Sequence, residues 1–583
     1  MELLKEVKKR GLPLTIPEML KRSADLYADR PALTAREKGG DRTISYGLLL
    51  DEVEAIAQGL MALGLKKGDK IAILGPNSPE WAKAYLASGF AGCINVPIDS
   101  LLSDNEKQQL IAKAEVRAAF VASRFLDVLD DLPKGFPLPR YIICLDYNYE
   151  ALSPKVMSME GLKDVARSKK NVRELPGVSK DDVAAIIFTS GTTGVPKGVM
   201  LTHWNIVSDC IACSLAVDIG KERFLSVLPM HHTFECTAGF LLPIYCGCHI
   251  TYARSLKSKY IMEDLKSCRG TVMLGVPLLF QKMKEGIERA IDRAPAHRKL
   301  MFKAIWNLVL TAEKAGNPNL GKRIFRSLRK KAGLDTIRYF VSGGAALPPY
   351  VPIFFKRLGI DIIQGYGLTE ASPVLTINPL ERPKNESVGP PLPGVDVKVV
   401  DQDKDGVGEL AFKGPMIMKG YLNNPKATSE VLDEEGWLYT GDLGFVDSEG
   451  YVHICGRAKN LIVTSAGKNV YPEEIEFLLN KSEIILESMV FGEHVASGGE
   501  EVCAVLVPDF EVLAQRKEPD SLNEEELQKL IDSEVKKVNR HLASYKRIKR
   551  FYIINEELPK TSTKKIKRHL FNLQVLNKKP QKR

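Results

Sequence analysis

The chain has 583 residues, of which 44% are hydrophobic and 26% are charged, and this composition excludes global disorder. Its length exceeds one ordinary hydrophobic core, so two or more domains are expected. No apolar run approaches the roughly 18 residues of a transmembrane helix and the N-terminus lacks the apolar core of a signal peptide, so the predicted location is the cytoplasm.

The charge is distributed unevenly along the chain. The net charge is +10, yet residues 281–333 carry 14 Lys or Arg against 4 Asp or Glu, and the chain from Lys546 onward carries 13 against 2. The remaining residues are therefore net acidic. Two basic segments on an acidic body predict an acidic partner: a nucleotide, coenzyme A, an anionic membrane surface or a nucleic acid.

From about Ile16 to Leu278 short apolar strands alternate with amphipathic helices. "DKIAILGP", "RAAFVAS", "RYIICLD" and "AAIIFTS" are typical of buried strands, and "YGLLLDEVEAIAQGLMALGL" of a helix. Strands that alternate with helices predict a doubly wound, largely parallel sheet. In this region the pair Cys210 and Cys213, with Cys246, Cys248 and His249, could imitate a zinc site. We favour the alternative that both cysteines lie on the apolar face of a helix as reduced thiols.

The second half of the chain contains two segments that depart from this alternation of strands and helices. Residues 281–333 are predicted to be helical, strand-free and basic. Asp396–Ile417 alternates and predicts a small antiparallel unit with a turn at Asp405-Gly406. The predicted fold is therefore α/β: an N-terminal domain, residues 1–456, of doubly wound sheets with that antiparallel unit, and a small mobile α+β domain, residues 457–583, with a tail disordered from about 577.

One short stretch predicts phosphate binding. In "FTSGTTGVPKGVM" a strand enters a turn of hydroxyl and glycine residues, and Lys197 follows. Glycine lets backbone N–H groups approach an anion, and a lysine adds a mobile cation. The nucleotide-triphosphate pattern fails because Pro196 occupies the position of its second glycine. Taken alone, such a turn is more often an ordinary surface loop.

Five further motifs follow in order. They are "SGGAALPP" (342–349), "QGYGLTE" (364–370), "WLYTGDLG" (437–444), "GRAKNLIVTSAGKNVYPEEIE" (456–476) and "PKTSTKKIKR" (559–568). With the phosphate turn, this series resembles the adenylate-forming superfamily of acyl-CoA synthetases, peptide-synthetase adenylation domains and beetle luciferases. The resemblance extends from about Ile16 to Leu570, and it implies the roles below.

The resemblance implies the nucleotide-binding residues. Contacts to the ATP phosphates are implied at Thr189, Ser190, Gly191, Thr192, Thr193, Gly194 and Lys197. The adenine slot is implied at Gly343, Gly344, Ala345 and Tyr366, within a motif that also includes Gln364, Gly365 and Gly367. Thr369 is implied to contact the α-phosphate and Glu370 to hold Mg²⁺, which takes oxygen ligands. Asp442 and Arg457 are implied to clamp the ribose, since a carboxylate accepts hydroxyl protons.

The resemblance also implies residues for the acid and for the two half-reactions. His232 is implied at the mouth of the acyl pocket. Lys565 is implied as the catalytic lysine, although Lys564 occupies the glycine position of the family pattern and is an alternative. The C-terminal domain is implied to rotate about a hinge near Lys459, and Gly467 and Lys468 are implied to serve coenzyme A in the second half-reaction.

The basic insertion at 281–333 resembles a helical expansion of long-chain fatty acyl-CoA synthetases. The predicted function is therefore a long-chain fatty acid–CoA ligase that forms AMP and uses ATP, Mg²⁺ and coenzyme A. A ligase that acts on acyl carrier protein, or on aromatic or short acids, is the alternative. No nucleic-acid partner is expected. Peripheral contact with an anionic membrane, at the inner face, and a homodimer stay open.

Overall fold

The computed structural model describes residues 2–37, 39–129, 139–146, 156–168, 174–189, 196–317, 319–495, 498–516, 524–560, 566–570 and 581–582. Among these residues no helix is long and apolar enough to span a membrane. They divide into two compact units. The first comprises the described residues up to Asp396 together with Phe412–Leu438, and the second comprises Val397–Ala411 and the described residues from Tyr439 onward. The predicted boundary between residues 456 and 457, and the disordered tail, stay predictions.

Several helices begin where the sequence supplies a cap. The side chains of Thr15, Ser103 and Thr202 each accept a hydrogen bond from the backbone N–H three residues on, and the side chain of that later residue accepts one from the backbone N–H of the cap residue. The helices are α1 Glu2–Lys9, α2 Ile16–Tyr27, α3 Tyr46–Ala62, α4 Pro79–Phe90, α5 Asp104–Ala114, α6 Met159–Ser168, α7 His203–Ala216, α8 Leu242–Tyr245, α9 Ser258–Cys268, α10 Pro277–Asp292, α11 Ala296–Lys314, α12 Leu320–Ile324, α13 Arg326–Lys331, α14 Tyr350–Arg357, α15 Pro425–Ser429, α16 Pro472–Leu479, α17 Phe510–Arg516 and α18 Glu524–His541.

The strands coincide with the short apolar runs of the sequence. They are β1 Pro31–Glu37, β2 Gly40–Ser45, β3 Lys70–Leu74, β4 Ile94–Pro97, β5 Ala118–Val121, β6 Tyr141–Cys144, β7 Val156–Ser158, β8 Val183–Thr189, β9 Lys197–Thr202, β10 Arg223–Ser226, β11 His249–Tyr252, β12 Val272–Gly275, β13 Tyr339–Ser342, β14 Asp361–Gly367, β15 Val374–Ile377, β16 Asp396–Val400, β17 Gly408–Lys413, β18 Gly420–Tyr421, β19 Leu438–Val446, β20 Val452–Arg457, β21 Ile462–Val463, β22 Asn469–Val470, β23 Ile485–His494, β24 Glu500–Pro508, β25 Arg550–Ile553 and β26 Gln581–Lys582.

The first unit contains two eight-stranded sheets, with the orders β15-β14-β13-β12-β10-β11-β1-β2 and β18-β9-β8-β4-β3-β5-β6-β7. Neighbouring strands from β14 to β1 run parallel in the first sheet, and those from β8 to β7 run parallel in the second. The edge pairs β1–β2, β14–β15, β8–β9 and β9–β18 are antiparallel. Since parallel strands need long crossovers, the helices lie between them, as the alternation predicted.

The second unit contains, apart from a few strand ends, the sheet β16-β17-β19-β20, the pair β21-β22 and the sheet β23-β24-β25-β26. Gly406 has a positive φ of 77° in the predicted turn between β16 and β17. A separate core packs α16 and α18 against β23 and β24, with Ile475, Val490 and Val535 buried. Together with the large sheets of the first unit, these elements confirm the predicted fold class.

The basic segment 281–333 is helical, as predicted, within α10–α13. Its aromatic residues Phe302 and Trp306 pack against Phe325, with ring centroids 5.5 and 6.0 Å from that ring. They join a buried cluster around Phe355 and are therefore part of the core rather than of a free apolar face. Exposed apolar side chains on α11 are found instead at Leu300, Met301 and Leu308.

All ten cysteines are free thiols. Cys210 and Cys213 lie buried on α7, where burial raises the pKa of both thiols well above the ordinary value. This placement favours the predicted helix-face role over a zinc site, because a metal ligand must be a thiolate.

Candidate active site

The two ends of the phosphate turn are held by a strand pair. β8 ends at Thr189 and β9 begins at Lys197, and these two residues are paired across the antiparallel ladder. The side chain of Lys113 donates a hydrogen bond of 2.6 Å to the carbonyl oxygen of Pro196. Residues Ser190, Gly191, Thr192, Thr193 and Gly194 lie outside the described residues, so their implied contacts stay predictions.

Lys197 and Glu370 are brought together by a tyrosine. The ammonium group of Lys197 lies 5.0 Å from the centroid of the Tyr421 ring, at a cation–π distance. The Tyr421 hydroxyl donates a hydrogen bond of 2.8 Å to Oε1 of Glu370. Burial and the Glu370 charge raise the pKa of Tyr421 well above its ordinary value, so the phenol stays a proton donor. A cation and a carboxylate thus both contact one buried tyrosine.

The turn that carries Thr369 and Glu370 is fixed by the backbone. A Cβ at Gly367 would lie 1.7 Å from the carbonyl oxygen of Pro373, so only glycine fits at the end of β14. Thr369–Ala371 forms one 3₁₀ turn, and Met418 N–H donates a 2.8 Å hydrogen bond to the Glu370 carbonyl oxygen. Both side chains are half-buried, in reach of a ligand.

The implied adenine residues lie at the ends of the neighbouring parallel strands β13 and β14. Gly344 and Ala345 follow β13 and are exposed, and Gly344 has a φ of 84° that favours glycine. Tyr366 on β14 packs against Phe412 with ring centroids 5.9 Å apart. Gln364 is buried, and its Oε1 has no hydrogen-bond partner among the described residues. An acceptor left in this state is a place where a ligand or water donor is expected.

The implied acyl-gate histidine belongs to a cluster of three residues. The rings of His231 and His232 lie 4.3 Å apart, just before a π-helix at Phe234–Leu241. His231 is buried, and its Nε2 lies 3.2 Å from Oδ1 of Asp99, without the geometry of a hydrogen bond. The Asn77 side chain holds the preceding loop by two hydrogen bonds. It donates one of 2.6 Å to the Leu228 carbonyl oxygen and accepts one of 2.9 Å from Met230 N–H.

The implied ribose clamp lies in the second unit. Asp442 on β19 and Arg457 on β20 are direct partners in the antiparallel ladder, and Arg457 Nε lies 2.7 Å from Asp442 Oδ1. Asp442 is buried, and its N–H bonds to the hydroxyl of Thr440 at 3.1 Å. The carboxylate therefore has a fixed orientation and a neutralising guanidinium beside it.

The implied hinge and coenzyme A residues also lie in the second unit. Lys459 is on a 3₁₀ turn, where partial desolvation and the charges of Arg457 and Arg568 lower its pKa. Gly467 has a φ of 67° in the turn between β21 and β22. Lys468 is exposed, and the neighbouring Lys404 lowers its pKa.

Lys564 and Lys565 lie outside the described residues, but both flanks of their loop are described. Lys560 and Ile566 form an antiparallel β-bridge, and Lys567 N–H donates a hydrogen bond of 2.7 Å to the Pro559 carbonyl oxygen. Arg568 pairs with the half-buried Glu476 and donates a hydrogen bond of 2.7 Å to the Val490 carbonyl oxygen. Both described flanks are thus held by contacts within the second unit.

Sequence reasoning missed Tyr421 and Asp99. Tyr421 lies in "MKGYLNNP", more than fifty residues from Glu370, and Asp99 lies far from the two histidines. Neither residue belongs to a motif that we used, and only the pairing of β18 with β9 brings Tyr421 beside the phosphate turn. The role of each implied nucleotide-binding residue stays a proposal.

Comparison with known proteins identifies the family. The family model described as AMP-binding enzyme matches residues 20–422, and the one described as AMP-binding enzyme C-terminal domain matches residues 459–575. The long-chain-fatty-acid–CoA ligase heimdall of Drosophila melanogaster is 31% identical over 83% of this chain and 75% of its own length. The chloroplastic long-chain-fatty-acid–acyl-carrier-protein ligase AEE15 of Arabidopsis thaliana is 29% identical over 90% of this chain and 80% of its own.

Two solved structures resemble this chain over nearly its whole length. ATP-bound MatB from Rhodopseudomonas palustris has a TM-score of 0.73 and 25% identity, and it covers 95% of this chain and 98% of its own. A fatty acyl CoA synthetase of Mycobacterium tuberculosis, 24% identical, shares the fold with a TM-score of 0.63 over 96% and 97% of the two chains. These matches confirm the predicted superfamily and enzyme class, an AMP-forming acyl-CoA synthetase. The chain belongs to the AMP-binding enzyme family.

Proposed function

We propose that the protein is a long-chain fatty acid–CoA ligase. It joins a fatty carboxylate to the α-phosphate of ATP, releases pyrophosphate, and passes the acyl group to the thiol of coenzyme A with release of AMP. The observation that carries this proposal is the arrangement of Lys197, Tyr421 and Glu370 beside the phosphate turn. It supplies a cation for phosphate and a carboxylate for a hard metal ion, which adenylation requires.

The first unit acts on the phosphates. Lys197 has no ion pair among the described residues, so its charge is available to the departing pyrophosphate. Tyr421 fixes one oxygen of Glu370, and this carboxylate fits Mg²⁺, which prefers few protein oxygens with substrate phosphates. Mg²⁺ bound there would neutralise charge on the phosphates. Thr369, in the same turn, is placed to contact the α-phosphate.

The nucleoside is bound by glycine backbone, an aromatic ring and a carboxylate. Gly344 and Ala345 present backbone without bulky side chains, which suits close approach of a flat base, and Tyr366 supplies the aromatic face. Asp442, oriented by Arg457, accepts the two ribose hydroxyl protons. The orphaned Oε1 of Gln364 is a free acceptor in the same motif.

Lys565 and the turn at Gly467 serve different half-reactions. Lys565 stabilises negative charge on the α-phosphate during adenylation, while Gly467 and Lys468 serve thioester formation after rotation about Lys459. His232 gates the acyl pocket, and the helical insertion α10–α13 favours long acids. Lys468 is exposed and cationic, which suits the anionic phosphates of coenzyme A.

The proposal is tested with purified protein, ATP, Mg²⁺, coenzyme A and fatty acids from short to long. We expect AMP and pyrophosphate with the greatest kcat/KM for long-chain acids, and loss of both products when Mg²⁺ is removed with a chelator. Formation of ADP and orthophosphate would contradict the proposal. A preference for aromatic or short acids would support the alternative acid class.

Acyl carrier protein is a second candidate acceptor. It is favoured by the similarity to AEE15, which covers more of this chain than the match to heimdall. The same assay decides between the two: the acid is supplied with coenzyme A in one arm and with phosphopantetheinylated carrier protein in the other. Faster acyl transfer to the carrier protein would replace coenzyme A in the proposal.

A further inference from the structure

One group of potential metal ligands lies outside the phosphate region. Among the residues that the structure describes, Asp99, His231 and His232 are the one group in which three ligand atoms lie within 4.8 Å of one another. Asp99 follows β4, whereas the two histidines lie between β10 and the π-helix, so the cluster depends on the tertiary fold. Its chemistry, two imidazoles and one carboxylate, differs from the all-oxygen chemistry at Glu370.

The buried ring nitrogen of His231 is a ligand atom with no hydrogen bond of its own. His231 is 7% exposed, and its Nε2 has no hydrogen-bond partner among the described residues, although Asp99 Oδ1 lies 3.2 Å away. This nitrogen faces a carboxylate oxygen, which is a second ligand atom for the same cation. Leu101 N–H donates a 2.8 Å hydrogen bond to the same Asp99 oxygen and so orients the carboxylate.

The dimensions suit a first-row transition metal. Zinc–nitrogen and zinc–oxygen bonds of about 2.0–2.2 Å place tetrahedral ligands roughly 3.3 Å apart, close to the separation of His231 Nε2 and Asp99 Oδ1. The remaining atom pairs of the group, which include His232, lie within 4.8 Å of one another. Asp99 and His232 are half-buried, which leaves a path for the ion and an open fourth position.

We propose that Asp99, His231 and His232 form a binding site for a borderline transition-metal dication such as Zn²⁺, separate from the Mg²⁺ position at Glu370. Imidazole ligands favour Zn²⁺ over Mg²⁺, so the two ions distinguish the two places. One consequence rests on the proposed function: if His232 gates the acyl pocket, bound Zn²⁺ immobilises the gate and slows adenylation. Zn²⁺ then acts as an inhibitor that Mg²⁺ does not relieve.

The direct test measures binding without activity. Protein freed of transition metals and kept in excess Mg²⁺ is titrated with Zn²⁺ in competition with a chromophoric chelator. A second titration uses Co²⁺, whose visible absorption reports nitrogen and oxygen ligands. We expect one tight equivalent in the wild type and at least tenfold weaker binding in Asp99→Asn and in His231→Gln. Unchanged affinity and stoichiometry in both variants would overturn the proposal, and so would a wild type that binds no Zn²⁺.

The chain offers a matched control. His453 Nε2 also lies 3.2 Å from a carboxylate, Asp447 Oδ2, but this pair forms a hydrogen bond and belongs to no three-ligand group. His453→Gln is expected to keep the full Zn²⁺ affinity, and an equal loss in this variant would also contradict the assignment. The Zn²⁺-induced rise in Tm gives a second measurement: it should persist in His453→Gln and vanish in Asp99→Asn.

An activity measurement distinguishes failure of the metal site from failure of the proposed function. Zn²⁺ binding with no AMP formation from any acid would refute the proposed function and leave the metal site standing. AMP formation without Zn²⁺ binding would refute the site alone. Binding with activity that Zn²⁺ does not change would overturn the inhibitory consequence and retain the site.

Discussion

The implied site residues of the two units differ in how their charges are paired. In the first unit, Lys197 lies against the Tyr421 ring and Glu370 accepts a hydrogen bond from its hydroxyl, and neither forms an ion pair among the described residues. In the second unit, Asp442 and Arg457 neutralise each other directly at 2.7 Å. In the proposed function, the first unit therefore offers full charges to phosphate and metal, whereas the second offers a preformed neutral pair to the uncharged ribose.

One acidic residue in each unit illustrates this difference. Glu235, on the π-helix of the first unit, is fully buried with a hydrogen bond of 2.6 Å from the Ser226 hydroxyl and no cation beside it. Glu476, in the second unit, is half-buried and pairs with Arg568. Burial raises the pKa of Glu235 to about 8. Substitutions in the two units test this contrast.

The largest effect is expected at Lys565. Lys565→Ala removes a preorganised cation from the developing charge on the α-phosphate, which typically costs about 3–4 kcal/mol, roughly a hundred- to a thousand-fold in rate. Acyl-adenylate formation should fall by that factor. Conversion of supplied acyl-adenylate and coenzyme A to thioester should stay near normal, because the carbonyl carbon under attack is neutral. Pyrophosphate release and thioester formation are measured separately.

Lys564→Ala is the matched control for this prediction and should be mild in both half-reactions. If Lys564→Ala is instead the inactive variant, Lys564 and not Lys565 is the catalytic lysine. If Lys565→Ala slows both half-reactions equally, the two half-reactions do not use different conformations of the second unit.

The next effect is on stability and depends on pH. The folded-state pKa of Glu235 is raised from 4.5 to about 8, so its contribution to stability is complete below about pH 4.5 and is lost as the pH rises toward 8. Between pH 5 and pH 7 this loss amounts to about 2–3 kcal/mol. Glu235→Gln removes the ionisable group, so its free energy of unfolding should fall less over this range, as measured by urea unfolding.

Glu476→Gln provides the comparison in the second unit. It leaves the Arg568 guanidinium without its carboxylate and should lower the stability at both pH values. An unchanged pH dependence in Glu235→Gln would show that Glu235 is not the group responsible, and the contrast between the two units would then be lost.

A smaller effect is expected at Tyr421. Tyr421→Phe removes the hydrogen bond to Glu370 and keeps the ring beside Lys197. Hydrogen bonds to charged groups contribute about 1.5–3 kcal/mol, and part of this is recovered from water, so we expect the KM for Mg-ATP to rise about tenfold. Initial rates over a matrix of Mg²⁺ and ATP concentrations measure it.

Tyr141→Phe is the control, since it also removes a phenol hydrogen bond, of 2.6 Å to the Leu63 carbonyl, at a place far from the nucleotide motifs in the sequence. It should leave the KM for Mg-ATP unchanged. Equal effects of both substitutions would mean that Tyr421 acts only through stability.

The smallest effect concerns the membrane. Lys299 and Lys303 flank the exposed Leu300 and Met301 on α11, and we expect this surface to bind anionic vesicles in co-sedimentation at low salt. Leu300→Ser combined with Met301→Ser should weaken the binding, and Leu215→Ser, an exposed leucine elsewhere, should not. Equal binding to neutral and anionic vesicles, or none, would contradict the expectation.

The amino-acid sequence alone was enough to predict several strands, the long helix α3 and the family. Short apolar runs and amphipathic periodicity are local signals, and they gave the elements around β3, β5, β8 and α3 correctly. The ordered motifs also placed Asp442 and Arg457 in one role, and the two residues are partners in the ladder. Gly367 is likewise fixed by its own turn, where a side chain would meet a carbonyl oxygen.

Only the tertiary structure decided which distant groups meet. Tyr421 reaches Glu370 because β18 pairs with β9, and Asp99 reaches His231 because the ends of two segments far apart in the chain lie together. The packing of Phe302 and Trp306 against the core likewise depends on the tertiary structure, because the basic composition of their segment does not specify it. The physical reason is that burial and side-chain contact depend on which elements pack together, whereas periodicity and caps act within one element.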